Sequence, residues 1–186
     1  MDAMALLLDR QSHGRLEAPA PTAEQMELIY RAALRAPDHG ELRPWRFIEY
    51  TGTGRETLGS MFARAEQEDN PDISDRTLEK ARSKPLRAPV VIAIVASVTP
   101  NHKVPRIEQV ISAGCAAHAM LYAAHAQGLG AMWRTGGFAH HSCVRQAMGL
   151  EKDDELVGFL YLGHCTQGDR TLKPLEPDDF VERIQA

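Results

Sequence analysis

Arg10, Gln11 and Ser12 follow one another where a short N-terminal helix should end. A guanidinium fork, an amide and a hydroxyl in that order can surround one anion such as a phosphate. The competing reading is a solvated arginine favoured by the dipole at a helix C-terminus. A second stretch, Arg35-Ala-Pro-Asp-His39, is a proline-stopped helix end that leads into Arg43-Pro44-Trp45. It reads either as an ordinary polar loop or as a donor-rich binding loop beside an indole. The third stretch runs from Gly128 to Gly137. Its glycines permit close backbone approach, Trp133 offers a flat apolar face and Arg134 a cation, although a tryptophan on a strand also reads as core.

Cys115, His118 and His125 recur at helical spacing and invite a metal reading. An alanine-rich helix without a nearby carboxylate favours packed or hydrogen-bonded core groups instead, and no metal is expected. Cys143 has no resolving partner in sequence, and His140-His141 reads as a polar helix cap. No Walker loop, GxGxxG, GxSxG or HExxH occurs. That removes the usual routes to nucleotide hydrolysis, a Rossmann site, an α/β-hydrolase triad and a zinc protease.

The elements that must position these residues can be read from periodicity. Met4, Leu7 and Leu8 place a short helix over 1–10. Thr22 and Gln25 form a capping box that opens a helix ended by Pro37. A first strand is expected over 46–51, helices over 55–68 and 73–83, and a buried β-branched strand over 90–97. Pro105 should sit in the first turn of the longest helix, reaching about Gln127, with Ile107, Val110, Ile111, Gly114, Ala117, Leu121 and Ala124 on its apolar face. A short strand at 131–134, a helix at 142–148, a core strand at 156–162 and a polar tail from Gln167 complete the order. The pattern predicts an α+β sandwich with helices on both faces of a small mixed sheet, as one domain over 1–186.

Composition fits such a domain. Of 186 residues, 44% are hydrophobic and 25% charged, near the averages for globular proteins. The net charge of -4, with Lys and Arg scattered, argues against nucleic acid as a partner. Three widely spaced cysteines signal no disulfide framework, and the longest apolar run, 90–98, is too short to span a membrane. A reducing cytoplasm is the expected location.

Taken together, several segments resemble the nitroreductase family, in particular its short NAD(P)H nitroreductases. They are Asp9-Arg-Gln-Ser12, Arg35-Ala-Pro-Asp-His39 with Pro44-Trp45, Asn101-His-Lys-Val-Pro-Arg106, Ser112-Ala-Gly-Cys115, Ala126-Gln-Gly-Leu-Gly130 with Trp133-Arg134, and Val157-Gly-Phe-Leu-Tyr-Leu-Gly163. The resemblance implies FMN held at the interface of an intertwined homodimer. It implies that Arg10, Gln11 and Ser12 bind FMN, that Arg35 and His39 reach it from the partner subunit, and that Trp133, Arg134 and Thr135 lie beside the ring or its chain. Ala123, Ala124, His125, Ala126, Gln127 and Gly128 correspond to the NAD(P)-associated segment. The implied activity is transfer of two electrons from NAD(P)H to a small acceptor such as a nitroaromatic or quinone, by ping-pong kinetics and with no catalytic side chain beyond the flavin. A flavin protein of another reaction is the alternative. The family commonly has Arg-Arg-Ser at its first motif, whereas this chain carries Gln11, which shifts phosphate binding toward Arg10, Arg134 or the tail cations Arg170 and Lys173.

Overall fold

The computed structural model describes residues 2–168 and 170–185. In chain order the helices are α1 (Ala3–Asp9), α2 (Ala23–Ala33), α3 (Gly54–Asp69), α4 (Asp75–Arg82), α5 (Arg106–Ala126) and α6 (Ser142–Ala147). The strands are β1 (Trp45–Thr51), β2 (Val90–Ala96), β3 (Gly130–Arg134) and β4 (Glu155–Gly163). The sheet order is β1-β2-β4-β3. Every neighbouring pair is antiparallel, which corrects the expected mixed sheet. The α+β class itself stands.

Local chemistry explains several boundaries. The Thr22 hydroxyl accepts from the Gln25 amide at 3.2 Å while the Gln25 side chain accepts from the Thr22 N–H at 2.9 Å, so α2 begins in a complete capping box. Strand β2 is buried along its whole length because both faces are covered. Val91, Ala93 and Val95 pack toward α3 and α4, with Leu58, Phe62 and Leu78. Val90, Ile92 and Ile94 pack toward α2 and α5, with Ile29, Ala117 and Met120. Burying a side chain of this size is worth about 1.5–3 kcal/mol, so the two-sided strand is the main fastening of the layers.

Helix α5 departs from its expected face. The buried positions include Ala113, Ala116, Ala117, Met120, Leu121 and Ala124, whereas Ile107 and Ile111 are more than half exposed. Small residues bring the helix close to the sheet, and the bulky isoleucines are left on a second apolar stripe. The tail is likewise less polar than expected at its surface, with Leu175, Phe180 and Ile184 exposed.

Strand β4 contains a bulge. Ile94 pairs with Gly158 and Val95 with Leu156, so Val157 is the extra residue. The slip changes the alternation, allowing Leu156 and Phe159 to enter the same core, three residues apart. No described helix is long and apolar enough to cross a membrane.

Candidate functional site

Residues 10–14 run along the outer edge of β3, where the His13 N–H donates to the Ala131 carbonyl at 3.0 Å. That contact joins the first and third candidate stretches. Gly14 lies beside the Arg134 guanidinium; a Cβ there would be 3.9 Å from Nη2. Arg10 turns toward α5, with its guanidinium 5.9 Å from the Tyr122 ring centre. Its Nη1 is buried and has no hydrogen-bond partner among the described residues. A buried guanidinium nitrogen without an acceptor costs free energy until an anion supplies one.

Gln11 explains how the tail reaches this place. Its Nε2 donates to the Arg170 carbonyl at 2.9 Å and its Oε1 accepts from the Arg170 N–H at 3.0 Å. The Arg170 guanidinium donates in turn to the Ser12 carbonyl at 3.1 Å. The result is a groove of about 290 Å³ between residues 10–12 and 170–173, with Arg10, Arg170 and Lys173 on its walls and no acidic residue among the described residues that line it. Gln11 thus holds the tail's cations beside Arg10, although it supplies no charge itself.

Beyond Arg134 the edge opens into a cavity of about 390 Å³. Phe62 and Phe138 stack at 4.3 Å in one wall, and Phe159 and Tyr161 continue it. Three cations meet there: the Arg134 guanidinium is 5.8 Å from the Tyr161 ring centre, the Lys84 ammonium 4.2 Å from that of Phe138, and Arg87 stands at the rim. Burial pushes the Tyr161 phenol up, and Arg134 and Arg87 oppose part of that rise. It therefore stays a neutral phenol at ordinary pH. Thr135 and Gly136 complete the lining. Lys84 and Arg87 had no signal in the sequence, because they belong to a turn after a charge-rich surface helix, and only the tertiary fold brings them here.

Trp133 lies on the opposite face of β3. Its indole N–H donates to the Val157 carbonyl at 3.3 Å, so the bulged residue is its anchor. Gly158, with φ of +151°, leaves room for the ring; a Cβ would clash with the indole nitrogen and stand 2.8 Å from the Arg134 carbonyl.

Arg35 and His39 do not join the Arg134 cavity of their own chain. The His39 Nδ1 is 2.7 Å from a Glu108 carboxylate oxygen, and the Ser112 hydroxyl donates to the Pro37 carbonyl at 2.6 Å, which docks this loop on α5. Glu41 and Arg43 have positive φ (54° and 50°), an uncommon conformation for residues with side chains, and the Asp38 carboxylate holds the Arg43 N–H at 2.7 Å. Arg35 instead edges an open apolar groove of about 670 Å³ with Leu7, Pro37, Cys115, His118 and Tyr122.

The segment from Ala123 to Gly128 ends α5. Ala124 is wholly buried, and the Gln127 amide is used on the Gln25 and Ala123 carbonyls. Neither presents its side chain to a ligand. Ala126 and Gly128 are exposed, Ala123 and His125 half-buried. Cys115, His118 and His125 form no ligand-distance group among the described residues.

The sequence model of the Nitroreductase family matches residues 7–164. The chain is 48% identical over 163 residues, 88% of each sequence, to an Escherichia coli K12 protein called "Putative NAD(P)H nitroreductase YdjA". Its fold resembles a nitroreductase-like family protein of Bacillus cereus, with a TM-score of 0.84 at 19% identity, covering 100% of this chain and 97% of that one. It also resembles a nitroreductase with bound FMN from Bacteroides fragilis, with a TM-score of 0.74 at 17% identity over the full length of both.

Proposed function

Because this chain belongs to the nitroreductase family of oxidoreductases, we propose that it binds FMN along the β3 edge as a homodimer and passes electron pairs from NAD(P)H to a small acceptor. The observation that carries the reading is the buried Nη1 of Arg10, without a hydrogen-bond partner among the described residues, in a groove with two further cations. Such a groove fits a phosphate monoester. Relatives point the same way, since one is named for NAD(P)H and a fold neighbour holds FMN.

Residues of this chain divide the work by chemistry. Arg10, Ser12, Arg170 and Lys173 would hold the phosphate, with Gln11 fixing the tail that carries the last two. Thr135 would border the ring system from the cavity side, Trp133 would back β3 from its other face, and the aromatic wall of Phe62, Phe138 and Phe159 would keep water from the ring. Arg134, Lys84 and Arg87 would favour negative charge in the cavity. FMN held there would supply two-electron redox chemistry between NAD(P)H and an acceptor that use the same face in turn. A nitroaromatic or quinone fits as acceptor, and the exchange of one ligand for the other makes the kinetics ping-pong. No side chain need act as nucleophile.

Support for a dimer comes from what one chain leaves exposed. Ile107 and Ile111 on α5, Leu34 after α2, Leu7 and Leu8 on α1, and Phe180 and Ile184 in the tail are all outside the core. Covered together, such side chains would form an apolar contact with a second copy. A second copy covering them would carry its own Arg35 and His39 toward the first copy's groove. The exposed end of α5, at Ala126 and Gly128, remains available to the NAD(P)H donor.

The direct test is the absorption spectrum of purified protein, followed by anaerobic addition of NADH or NADPH. A flavin spectrum that bleaches and recovers with a quinone supports the reading. A yellow protein that resists both donors would be a flavoprotein of another reaction. Colourless, monomeric protein that ignores added FMN would refute the proposal.

A further inference from the structure

On the face of the sheet away from α5, the last turn of α3 meets the first turn of α6. Glu68, His141 and Cys143 bring one carboxylate oxygen, one imidazole nitrogen and one sulfur within 4.8 Å of one another. From this grouping we propose a zinc site, independent of the flavin reading, with the Cys143 thiolate, His141 Nδ1 and the Glu68 carboxylate as its ligands and Asp69 as the group that orients the imidazole.

The donor types select the metal. Sulfur, nitrogen and oxygen together suit a borderline-soft divalent cation such as zinc, whereas magnesium and calcium take oxygen alone. A thiolate and a carboxylate also neutralise a divalent charge. Coordination requires the thiol to lose its proton, which passes to solvent while sulfur keeps the electron pair that binds the metal.

One side of the imidazole is already supported for that task. His141 Nδ1 accepts the Cys143 backbone N–H at 3.2 Å, which puts the proton of a neutral ring on Nε2; the metal would take over that single Nδ1 lone pair, and α6 would give up this cap. Nε2 in turn faces the Asp69 carboxylate at 3.2 Å. A ligating histidine that donates its other ring N–H to a carboxylate is the usual supporting arrangement at zinc, because it fixes the ring and raises its basicity. Nδ1 is 3.9 Å from a Glu68 oxygen, about half an ångström more than the roughly 3.3–3.4 Å between nitrogen and oxygen ligands on one tetrahedral zinc. Cys143 is 5% exposed and the His141 side chain 15%, so both are held by packing. The Glu68 side chain is 54% exposed and can close the remaining distance, and water would fill the fourth position.

The site would staple residues 141–143 to α3. Residues 137 and 138, just before them, line the aromatic cavity, so a bound ion would stiffen one wall of that cavity without touching its contents. This separates the two proposals experimentally.

The test is titration of metal-free, thiol-reduced protein with Co²⁺, which reports thiolate ligation by a near-ultraviolet charge-transfer band and tetrahedral geometry by its visible bands. The wild type should take up one equivalent, which Zn²⁺ displaces. Cys143→Ser should abolish the charge-transfer band, and Glu68→Gln, at an exposed helix position that leaves the fold intact, should weaken binding at least tenfold. Asp69→Asn should weaken it by roughly 10–100-fold, the range for losing such a supporting group. Cys115→Ser should change nothing. Absence of the band at millimolar Co²⁺, its persistence in Cys143→Ser, or unchanged affinity in Glu68→Gln would overturn the proposal, whatever the flavin content.

Discussion

Arg10→Ala should weaken FMN and leave riboflavin, which lacks the phosphate, almost untouched. The Arg10 Nη1 is buried and unpaired among the described residues, so its contact with a phosphate would be little screened by solvent. A hydrogen bond to a charged group contributes about 1.5–3 kcal/mol, against ~1 kcal/mol or less for exposed ion pairs. At roughly 1.4 kcal/mol per tenfold, the loss predicted for FMN is about 10- to 100-fold in Kd. The flavin-free protein should behave differently. Alanine removes the contact with Tyr122, worth about 0.5–1 kcal/mol. It also removes a buried donor whose missing partner costs about 1–3 kcal/mol. The melting temperature without flavin should therefore stay the same or rise. The assay is quenching of flavin fluorescence on titration with flavin-free protein, run in parallel for FMN and riboflavin. An equal loss for both flavins, or less than about a threefold loss for FMN, would show that Arg10 meets no phosphate.

Four other outcomes follow from the same geometry. Gln11→Ala removes both hydrogen bonds to the Arg170 backbone, and trypsin should then cut after Arg170 or Lys173 faster than in the wild type, with the sheet intact. Gly158→Ala combines a disfavoured φ with a clash at Trp133, for a cost of ~3 kcal/mol in urea unfolding and a shift in tryptophan emission. Ile111→Glu changes a side chain that is 56% exposed in one chain, so it should leave a monomer's stability alone and split a dimer in sedimentation. Burial raises the Tyr50 and Tyr161 phenols above their ordinary value of 10.0. Below that value both folded and unfolded chains hold these protons and the two groups give no pH dependence; above it the unfolded chain loses them first, so stability should fall as pH rises, read from urea midpoints.

The sequence made the scaffold readable because its signals are local. The Thr22–Gln25 box, Pro105 before α5 and the β-branched run of β2 each act through residues adjacent in the chain. The first and third candidate stretches were visible as residue types, and the fold joins them through one backbone contact at Ala131. Long-range events were not visible. Lys84 and Arg87 come to the cavity from a distant turn, and the α5 isoleucines face outward because alanines fit the sheet more closely. The bulge at Val157 left only Gly158 as a trace, a strand glycine that marks irregularity or close approach. The grouping of Glu68 with His141 and Cys143 spans residues more than seventy apart in the chain and was equally hidden.

The clamp between Gln11 and Arg170 joins positions 159 residues apart. The groove's second wall, residues 170–173, follows every strand of the sheet in chain order. The layered core can therefore form while the groove still lacks that wall. Completion of the groove is then one of the last steps of folding, and a chain clipped ahead of Arg170 would keep its sheet but lose two of the three cations on the groove's walls.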